Sequence, residues 1–209
     1  IWLQRVRTGE RRRLLARPGI NGSPAFEPTR GDRLAVTLST VGGNLDIYVV
    51  ALADGALTRV TSDPAIDTEA VFSPDGRSLY FTSDRAGSPQ IYRAEALANA
   101  PAKRMTFTGS YNARPRLSPD GKQLAMVTLA GGSYRVAVQD LATGVVRQLT
   151  KGPLDESPSF APNGAMLIYA GRDRGQGVLA TVAIDGLTTQ RLKADEGEVR
   201  EPVWGPRRP

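Results

Sequence analysis

The sequence predicts an all-β chain made of one repeated unit, and three observations carry this prediction. A turn motif built around proline recurs at positions 28, 74, 119, 162 and 206, so its copies are 43 to 46 residues apart. Each full interval holds four short runs rich in β-forming residues, and every run is too short for a helix. A four-stranded unit repeating every 40 to 50 residues or so is typical of one blade of a β-propeller.

The clearest copy of the unit spans residues 68–84, with the sequence TEAVFSPDGRSLYFTSD. In its turn, Pro74 presets φ and Gly76 accepts the left-handed conformation that returns the chain. We therefore expect a first strand at 70–72, a hairpin corner, and a second strand at 79–82. Third strands are predicted at 45–49, 90–93, 134–138 and 178–182, and fourth strands at 57–61, 103–106, 146–150 and 190–192.

The order of these units indicates a six-bladed β-propeller of which this chain is a C-terminal portion. Residues 1–17 are interpreted as a half-blade, and residues 199–206 as a closing first strand. Four complete blades are expected at about 18–62, 63–107, 108–151 and 152–194. A closed ring would then need about five further strands upstream. A stacked sandwich and an open solenoid remain alternatives.

The first unit departs from the pattern at its corner. Glu27 stands where the other copies have serine, alanine or glycine, and one extra residue follows Pro28 before the second strand. We therefore expect a longer corner in this unit than in the others.

The net charge of +6 is concentrated at the ends of the chain. Residues 1–17 hold six arginines and one acidic residue, and Arg207 and Arg208 lie in the tail. The intervening chain is close to neutral, so it offers no continuous surface for a phosphate backbone, and no nucleic-acid partner is expected. The arginine run at 11–13 is interpreted as a solvated edge. No stretch approaches the ~18 apolar residues of a membrane span, so no direct membrane insertion is expected.

The residue content argues against an enzyme. The chain has no histidine and no cysteine, which excludes Ser-His-Asp and Cys-His catalysis, thiolates and disulfides. A phosphate-binding loop ending at Lys122 would need glycine where Arg116 stands. The glycine-rich run at 175–180 bridges two predicted strands, so it is interpreted as a hairpin loop. No catalytic residue, metal site or cofactor is predicted, although carboxylates at the channel mouth could weakly hold calcium.

The candidate site lies where the chain enters each first strand. In a propeller these entry loops come from different blades and meet at one mouth of the central channel. Their polar groups of mixed charge suit recognition of a protein partner through charge-assisted hydrogen bonds. The alternative is that they only cap strands by bonding to local backbone. The predicted partner-binding residues are Asn21, Gly22, Ser23, Asp67, Thr68, Glu69, Asn112, Ala113, Arg114, Asp155, Glu156, Ser157, Arg200 and Glu201.

Three stretches carry a family resemblance. The motif pair SPDG and SDRAGSPQIY at 73–92 resembles the WD40-like repeat of bacterial propellers. More narrowly, GSYNARPRLSPDGKQLA at 109–125, LDESPSFAPNG at 154–164 and EVREPVWGP at 198–206 resemble the TolB family of the Tol-Pal cell-envelope system.

The resemblance implies a periplasmic scaffold that supports outer-membrane integrity and cell division. It implies binding of the lipoprotein Pal at the propeller mouth, contact with TolA through an N-terminal domain absent from this sequence, and use of the propeller by some bacteriocins. The same resemblance points to the entry loops at 21–23 and 67–69.

Two other functions remain open at this stage. Prolyl-oligopeptidase-like serine peptidases carry similar repeats as a gating propeller, which would place a hydrolase domain beyond residue 209. A lyase acting at the channel mouth is the other alternative, although the chain lacks the histidine such chemistry would favour.

Overall fold

The computed structural model describes residues 1–39, 43–173, 175–192 and 199–205. This part of the chain contains eighteen β-strands and no helix, and therefore no helical membrane span. The chain divides into two compact units, Ile1–Ser88 with Tyr92–Met105, and Pro89–Ile91 with Thr106–Pro209.

Unit 1 contains a two-stranded sheet and two four-stranded antiparallel sheets, with consecutive strands adjacent in each. The small sheet pairs Trp2 with Arg13 and Gln4 with Arg11. The strand that begins at Gln90 belongs to a sheet of unit 1, although its first two residues, Gln90 and Ile91, are assigned to unit 2. The strands are β1 Trp2–Gln4, β2 Arg11–Arg13, β3 Asn21–Phe26, β4 Arg33–Ser39, β5 Leu45–Ala51, β6 Leu57–Arg59, β7 Asp67–Phe72, β8 Ser78–Ser83, β9 Gln90–Glu95 and β10 Lys103–Arg104.

Unit 2 contains two further four-stranded antiparallel sheets of the same order. Every predicted third and fourth strand overlaps a strand of the structure, so the all-β, propeller-like fold with four blade-like sheets is confirmed. The number of blades in a complete ring stays a prediction. The strands are β11 Asn112–Leu117, β12 Gln123–Ala130, β13 Ser133–Asp140, β14 Val146–Gln148, β15 Asp155–Phe160, β16 Met166–Asp173, β17 Gln176–Ala183 and β18 Thr189–Leu192.

The hairpin corners form as their sequence dictates. The amide of Gly76, at φ +70°, donates to the carbonyl of Ser73 at 2.8 Å, and Gly121 repeats both features with Ser118. The hydroxyl of Ser73 also accepts from the amide of Ser78 at 3.0 Å, which closes the loop between the strands. These local bonds explain why the motif marks a corner wherever it recurs.

In three sheets, a threonine two residues after the fourth strand accepts a hydrogen bond from the backbone of the third strand. The hydroxyl oxygens of Thr61, Thr106 and Thr150 accept from backbone amides at the start of the third strand. The three donors are Ile47, Ile91 and Val136, at 2.9, 2.9 and 3.0 Å respectively. All three threonines are buried, so each bond replaces a ladder bond that the short fourth strand cannot supply.

Each unit buries one apolar core between its two large sheets. In unit 1, Phe72 on β7 belongs to a cluster with Ala35, Ile47 and Val49 of the preceding sheet. In unit 2, Phe160 on β15 occupies the equivalent place with Ala125, Val136 and Val138. The first strand of one sheet therefore covers the face of the sheet before it, as radial stacking requires.

Arginines on outer strands add a second link between neighbouring sheets. The Nη2 of Arg12 on β2 donates to the carbonyl oxygen of Leu52 at 2.6 Å in unit 1. In unit 2 the Nη2 of Arg147 on β14 donates to the carbonyl oxygen of Ile184 at 2.7 Å. The side chains of the run at 11–13 are exposed, in keeping with a solvated edge.

The predicted closing segment pairs with no strand of the described residues, and the closing strand stays a prediction. Residues 199–205 carry no ladder, and Pro206 and the arginines of the tail lie outside the described residues. The amide of Trp204 donates instead to the hydroxyl of Ser159 at 3.2 Å. A β-strand requires a neighbour for its backbone groups, and no described strand pairs with this segment.

The corner of the first unit is longer, as predicted, and Glu27 organises it. Residues 27–32 separate β3 from β4, whereas residues 73–77 separate β7 from β8. The Glu27 carboxylate accepts from the amides of Thr29 at 3.1 Å, Arg30 at 2.8 Å and Gly31 at 3.1 Å, and from the Thr29 hydroxyl. Burial raises the pKa of Glu27, but these hydrogen bonds outweigh it and lower the pKa from 4.5 to about 2.

We expect Glu27→Gln to destabilise the protein by about 1–3 kcal/mol, because a carboxamide nitrogen cannot accept from the corner amides. The wild-type carboxylate has a lowered pKa, so its contribution is complete above pH 4.5 and is lost as the pH falls through about 2. Urea unfolding at several pH values measures this, with Glu10→Gln on the exposed turn as the control. Equal pH dependence of Glu27→Gln and wild type below pH 4.5 would contradict this role.

Candidate partner-binding site

The first strand of every four-stranded sheet contains the same irregularity. The pairing register shifts between residues 22 and 25 in β3, 68 and 71 in β7, 113 and 116 in β11, and 156 and 159 in β15. The third residue of each strand has left-handed φ, at +49° for Ser23, +58° for Glu69, +56° for Arg114 and +55° for Ser157. Glu201, in the fifth copy of the motif, has φ +49°.

These left-handed residues are strained, because residues other than glycine rarely adopt positive φ. Each costs on the order of 1–3 kcal/mol and persists only where the surrounding structure enforces it. Bulges of this kind bend a strand and re-aim its side chains, and they concentrate near functional sites. All five residues belong to the sequence-predicted site, although nothing in the sequence indicated the bulge itself.

The first residue of each entry loop anchors the loop. The side-chain Nδ2 of Asn21 donates to the backbone carbonyl of Arg17 at 2.7 Å, and its Oδ1 accepts from the backbone amide of Arg17 at 3.0 Å. The carboxylate of Asp155 accepts from the amide of Gly152 at 2.8 Å. A Cβ added at Gly152 would lie 2.3 Å from that carboxylate, so only glycine fits there.

Asp67 is anchored by a buried ion pair. Its side chain has no solvent exposure, and both of its oxygens accept from the Nη2 of Arg85, at 3.0 and 2.9 Å. The Arg85 guanidinium also lies 4.8 Å from the ring centre of Tyr92 and 3.6 Å from a carboxylate oxygen of Asp63. Burial raises the pKa of Asp67, against the lowering effect of its hydrogen bonds from Ser83 and Arg85.

Asn112 is equally enclosed. Its side-chain nitrogen donates to Gln90 Oε1 at 2.9 Å and to the carbonyl of Thr108 at 2.8 Å. Asn112 is fully buried, like Asp67, and Asp155 is only 4% exposed. These three side chains therefore cap their strands, and the partner-binding role of the loops stays a prediction. The predicted residues with exposed side chains lie at the second and third positions, although Ala113 and Ser157 are buried.

In unit 1 the second and third positions lie at the surface. Ser23 is exposed, and Gly22, Thr68 and Glu69 are half-buried. The carboxylate of Glu69 accepts from the hydroxyl of Thr82 at 3.1 Å, while its amide donates to Thr37 at 3.3 Å. Because β3 and β7 contact each other, both predicted loops of this unit belong to one surface.

In unit 2 the predicted residues converge on Arg114. Its Nη1 lies 3.9 Å from a carboxylate oxygen of Glu156 and 3.8 Å from one of Glu201, and it donates a hydrogen bond to the hydroxyl of Ser157. Glu201 and Arg200 are exposed, and the side chains of Arg114 and Glu156 are about one-third exposed. Ala113 and Ser157 are buried, so they support this cluster from beneath.

Sequence reasoning missed the residues that support the loops. Arg85 and Thr37 contact predicted residues directly but lie in other strands or loops. In the sequence, the motif SDR at 83–85 is only a part of the repeat. In the structure, Arg85 donates hydrogen bonds to the Ser83 hydroxyl and to the Asp67 carboxylate. In the described residues, no group of three or more aspartate, glutamate, histidine or cysteine side chains is placed to hold a metal ion. The weak calcium site stays a prediction.

We expect Arg85→Met to destabilise the protein by about 3–5 kcal/mol at neutral pH, because it leaves the Asp67 carboxylate buried without a counter-ion. The loss should shrink at acid pH, since burial already raises the pKa of Asp67 and the neutral acid is tolerated. Chemical unfolding measures the change. The exposed corner variant Arg77→Met is the control, and adding Asp67→Asn should restore part of the loss. Equal stability of Arg85→Met and Arg77→Met would refute the role of the ion pair.

In each unit the first strand of the second four-stranded antiparallel sheet covers a face of the first, and this arrangement defines a protein of the β-propeller class. The family model described as TolB beta propeller domain matches residues 1–208. The chain therefore belongs to the TolB beta propeller domain family.

Curated and solved relatives agree with this membership. The Tol-Pal system protein TolB of Bordetella pertussis is 45% identical over 161 residues, which is 77% of this chain and 36% of that protein. That of Nitrosospira multiformis is 49% identical over 107 residues, 51% of this chain and 24% of that protein. The crystal structure of TolB from Acinetobacter baumannii matches with TM-score 0.91 and 47% identity, over 99% of this chain and 51% of that one. The chain thus spans about half or less of these relatives.

More distant structures share the fold alone. A puromycin-hydrolyzing peptidase from Mycobacterium tuberculosis matches with TM-score 0.67 at 20% identity, over 88% of this chain and 30% of that one. An oligogalacturonate lyase matches with TM-score 0.63 at 16% identity, over 87% and 53%. These are the two enzyme classes left open by the sequence. The relatives at 45–49% identity are named instead for the Tol-Pal system, in agreement with the prediction of a non-enzymatic protein.

Proposed function

We propose that this chain is the propeller of a periplasmic interaction scaffold of the Tol-Pal system, and that it binds the lipoprotein Pal through the entry loops of its first strands. The observation that carries the proposal is the repeated bulge. It holds the third residue of four loops in one strained conformation, and that residue differs from copy to copy: Ser23, Glu69, Arg114 and Ser157. Glu201 has the same left-handed φ outside a strand.

The physical basis of the proposal is that the loop backbones are held in one conformation while their side chains differ from copy to copy. Backbone segments already held in one conformation lose little conformational entropy when a partner binds, so more of the contact energy appears as affinity. Hydroxyls, carboxylates and one guanidinium then present a mixed-charge pattern, which favours specificity over bulk hydrophobic adhesion. Arg114, Glu156 and Glu201 place one guanidinium and two carboxylates close together, at 3.9 and 3.8 Å, and such groups can make charge-assisted hydrogen bonds to a partner.

The wider role belongs to the same proposal. The propeller would have six blades when complete, lie in the periplasm, and support outer-membrane integrity and cell division. TolA would bind through a separate N-terminal domain, and bacteriocins would use the loops proposed for Pal. Family membership supports these assignments, because the curated relatives carry the name of the Tol-Pal system.

We expect Thr68→Trp and Arg114→Glu each to weaken Pal binding at least about tenfold, measured by calorimetry with purified Pal. The tryptophan covers the loop surface of unit 1, and the glutamate gathers three carboxylates in unit 2. Circular dichroism should show that both variants are folded.

Matched controls lie at the other end of the same strands. Arg77→Trp and Lys122→Glu alter the corners that follow β7 and β11, and both should bind Pal with wild-type affinity. Undiminished binding by both loop variants, or equal loss in the corner variants, would show that Pal does not use the entry loops.

A further inference from the structure

Beside the Arg114 cluster, unit 2 contains a small polar cleft. It lies where β15 begins and β16 ends, next to the residues that precede Glu201. Its volume is about 90 Å³, and its lining includes Glu156, Arg172, Gly177 and Arg200. Only Glu156 and Arg200 were among the sequence-predicted residues.

The size of the cleft limits what can enter it. Sites for drug-sized ligands and cofactors occupy roughly 300–1,000 Å³. A volume of about 90 Å³ is well below this range, so the cleft has room for a few waters or the end of one polar side chain. The cleft therefore fits one functional group of a larger partner better than a free metabolite.

The charges of the lining select the kind of group. Arg172 and Arg200 contribute two guanidinium groups, and Glu156 contributes one carboxylate. Glu156 already has Arg114 as a counter-ion at 3.9 Å. Arg172 is exposed, and within the described residues its side chain makes no hydrogen bond or ion pair. Among the described residues, therefore, no carboxylate is paired with the Arg172 guanidinium.

The backbone holds Arg172 in place. Its amide donates to the carbonyl of Leu154 at 3.0 Å, and it pairs with Gly177 across the β16–β17 hairpin. A Cβ added at the neighbouring Gly171 would lie 2.8 Å from the Asp155 carboxylate, so the strand passes close to the anchored entry loop. The guanidinium therefore starts from a fixed strand end beside the proposed binding surface.

We infer that this cleft is a carboxylate subsite, in which Arg172 receives an aspartate or glutamate side chain of the protein partner. The identity of the partner rests on the proposed function, whereas the chemistry of the cleft is independent of it. Planar guanidinium and carboxylate groups match in a two-point hydrogen-bonded pair, which gives direction as well as attraction. Specificity for acidic segments would thus come from a residue outside the entry loops.

The first experiment tests the cleft without any protein partner. N-acetylglutamate N-methylamide, which carries a single carboxylate, is titrated into the protein while the Arg172 Nε–H resonance is followed by NMR. We expect a saturable shift at millimolar concentration that the uncharged glutamine analogue does not produce. The shifts of nearby amides should be absent in Arg172→Gln. Equal shifts with both analogues, or unchanged amide shifts in Arg172→Gln, would overturn the subsite.

The second experiment places the subsite in the Pal interface. Arg172→Glu should weaken Pal binding roughly tenfold, whereas Lys151→Glu, the same charge change on the exposed loop before β15, should have less than about a threefold effect. Replacing Pal acidic residues by lysine one at a time should reveal one change that restores binding to Arg172→Glu. Absence of such a pair, or equal effects of the two variants, would remove the cleft from the interface.

The two experiments separate the two proposals. If Pal fails to bind the wild-type protein, the proposed function fails, and the NMR titration still decides whether the cleft binds carboxylates. If Pal binds and depends on Thr68 and Arg114 but not on Arg172, the proposed function stands and the subsite falls.

Discussion

The packing of one sheet against the next is the constraint on which the rest of this structure depends. A four-stranded sheet that is apolar on both faces cannot be stable alone in water, so each large sheet requires a neighbour. In both units a phenylalanine near the end of a first strand, Phe72 or Phe160, enters the core formed with the preceding sheet. The arginine links from Arg12 and Arg147 add hydrogen bonds between neighbouring sheets at Leu52 and Ile184, beside the apolar clusters that these two residues border.

The same packing shapes the entry loops that form the proposed binding surface. The first strand must cover its neighbour's face and also carry the chain in from the previous sheet, and the bulge at its third residue accommodates both requirements. Anchors such as Asp67 with Arg85, and Asn112 with Gln90, hold the start of the strand and help to enforce the left-handed residue that follows. Strain at the surface is thus balanced by buried polar bonds beneath it.

Repetition separates the structural positions from the functional ones. The first residue of the loop is always asparagine or aspartate in the four complete sheets, because each copy needs a short side chain that bonds to nearby groups. The second and third residues range from Gly22 to Arg114 with no loss of the local fold. Positions that vary on a fixed scaffold are where partner recognition can be tuned, and the proposed subsite at Arg172 would extend the proposed surface beyond the loops.

The sequence by itself determined the strand order, the corners and the longer turn at Glu27, because these depend on local chemistry: proline and glycine in turns, and short β-forming runs between them. It also located the surface that gathers Arg114 and Glu156. Only the tertiary structure decided that Asp67, Asn112 and Asp155 face inward, that Arg85 and Arg172 take part, and that residues 199–205 form no strand. Burial, ion pairing and strand pairing each need a partner distant in sequence, and a local pattern of residues does not specify that partner.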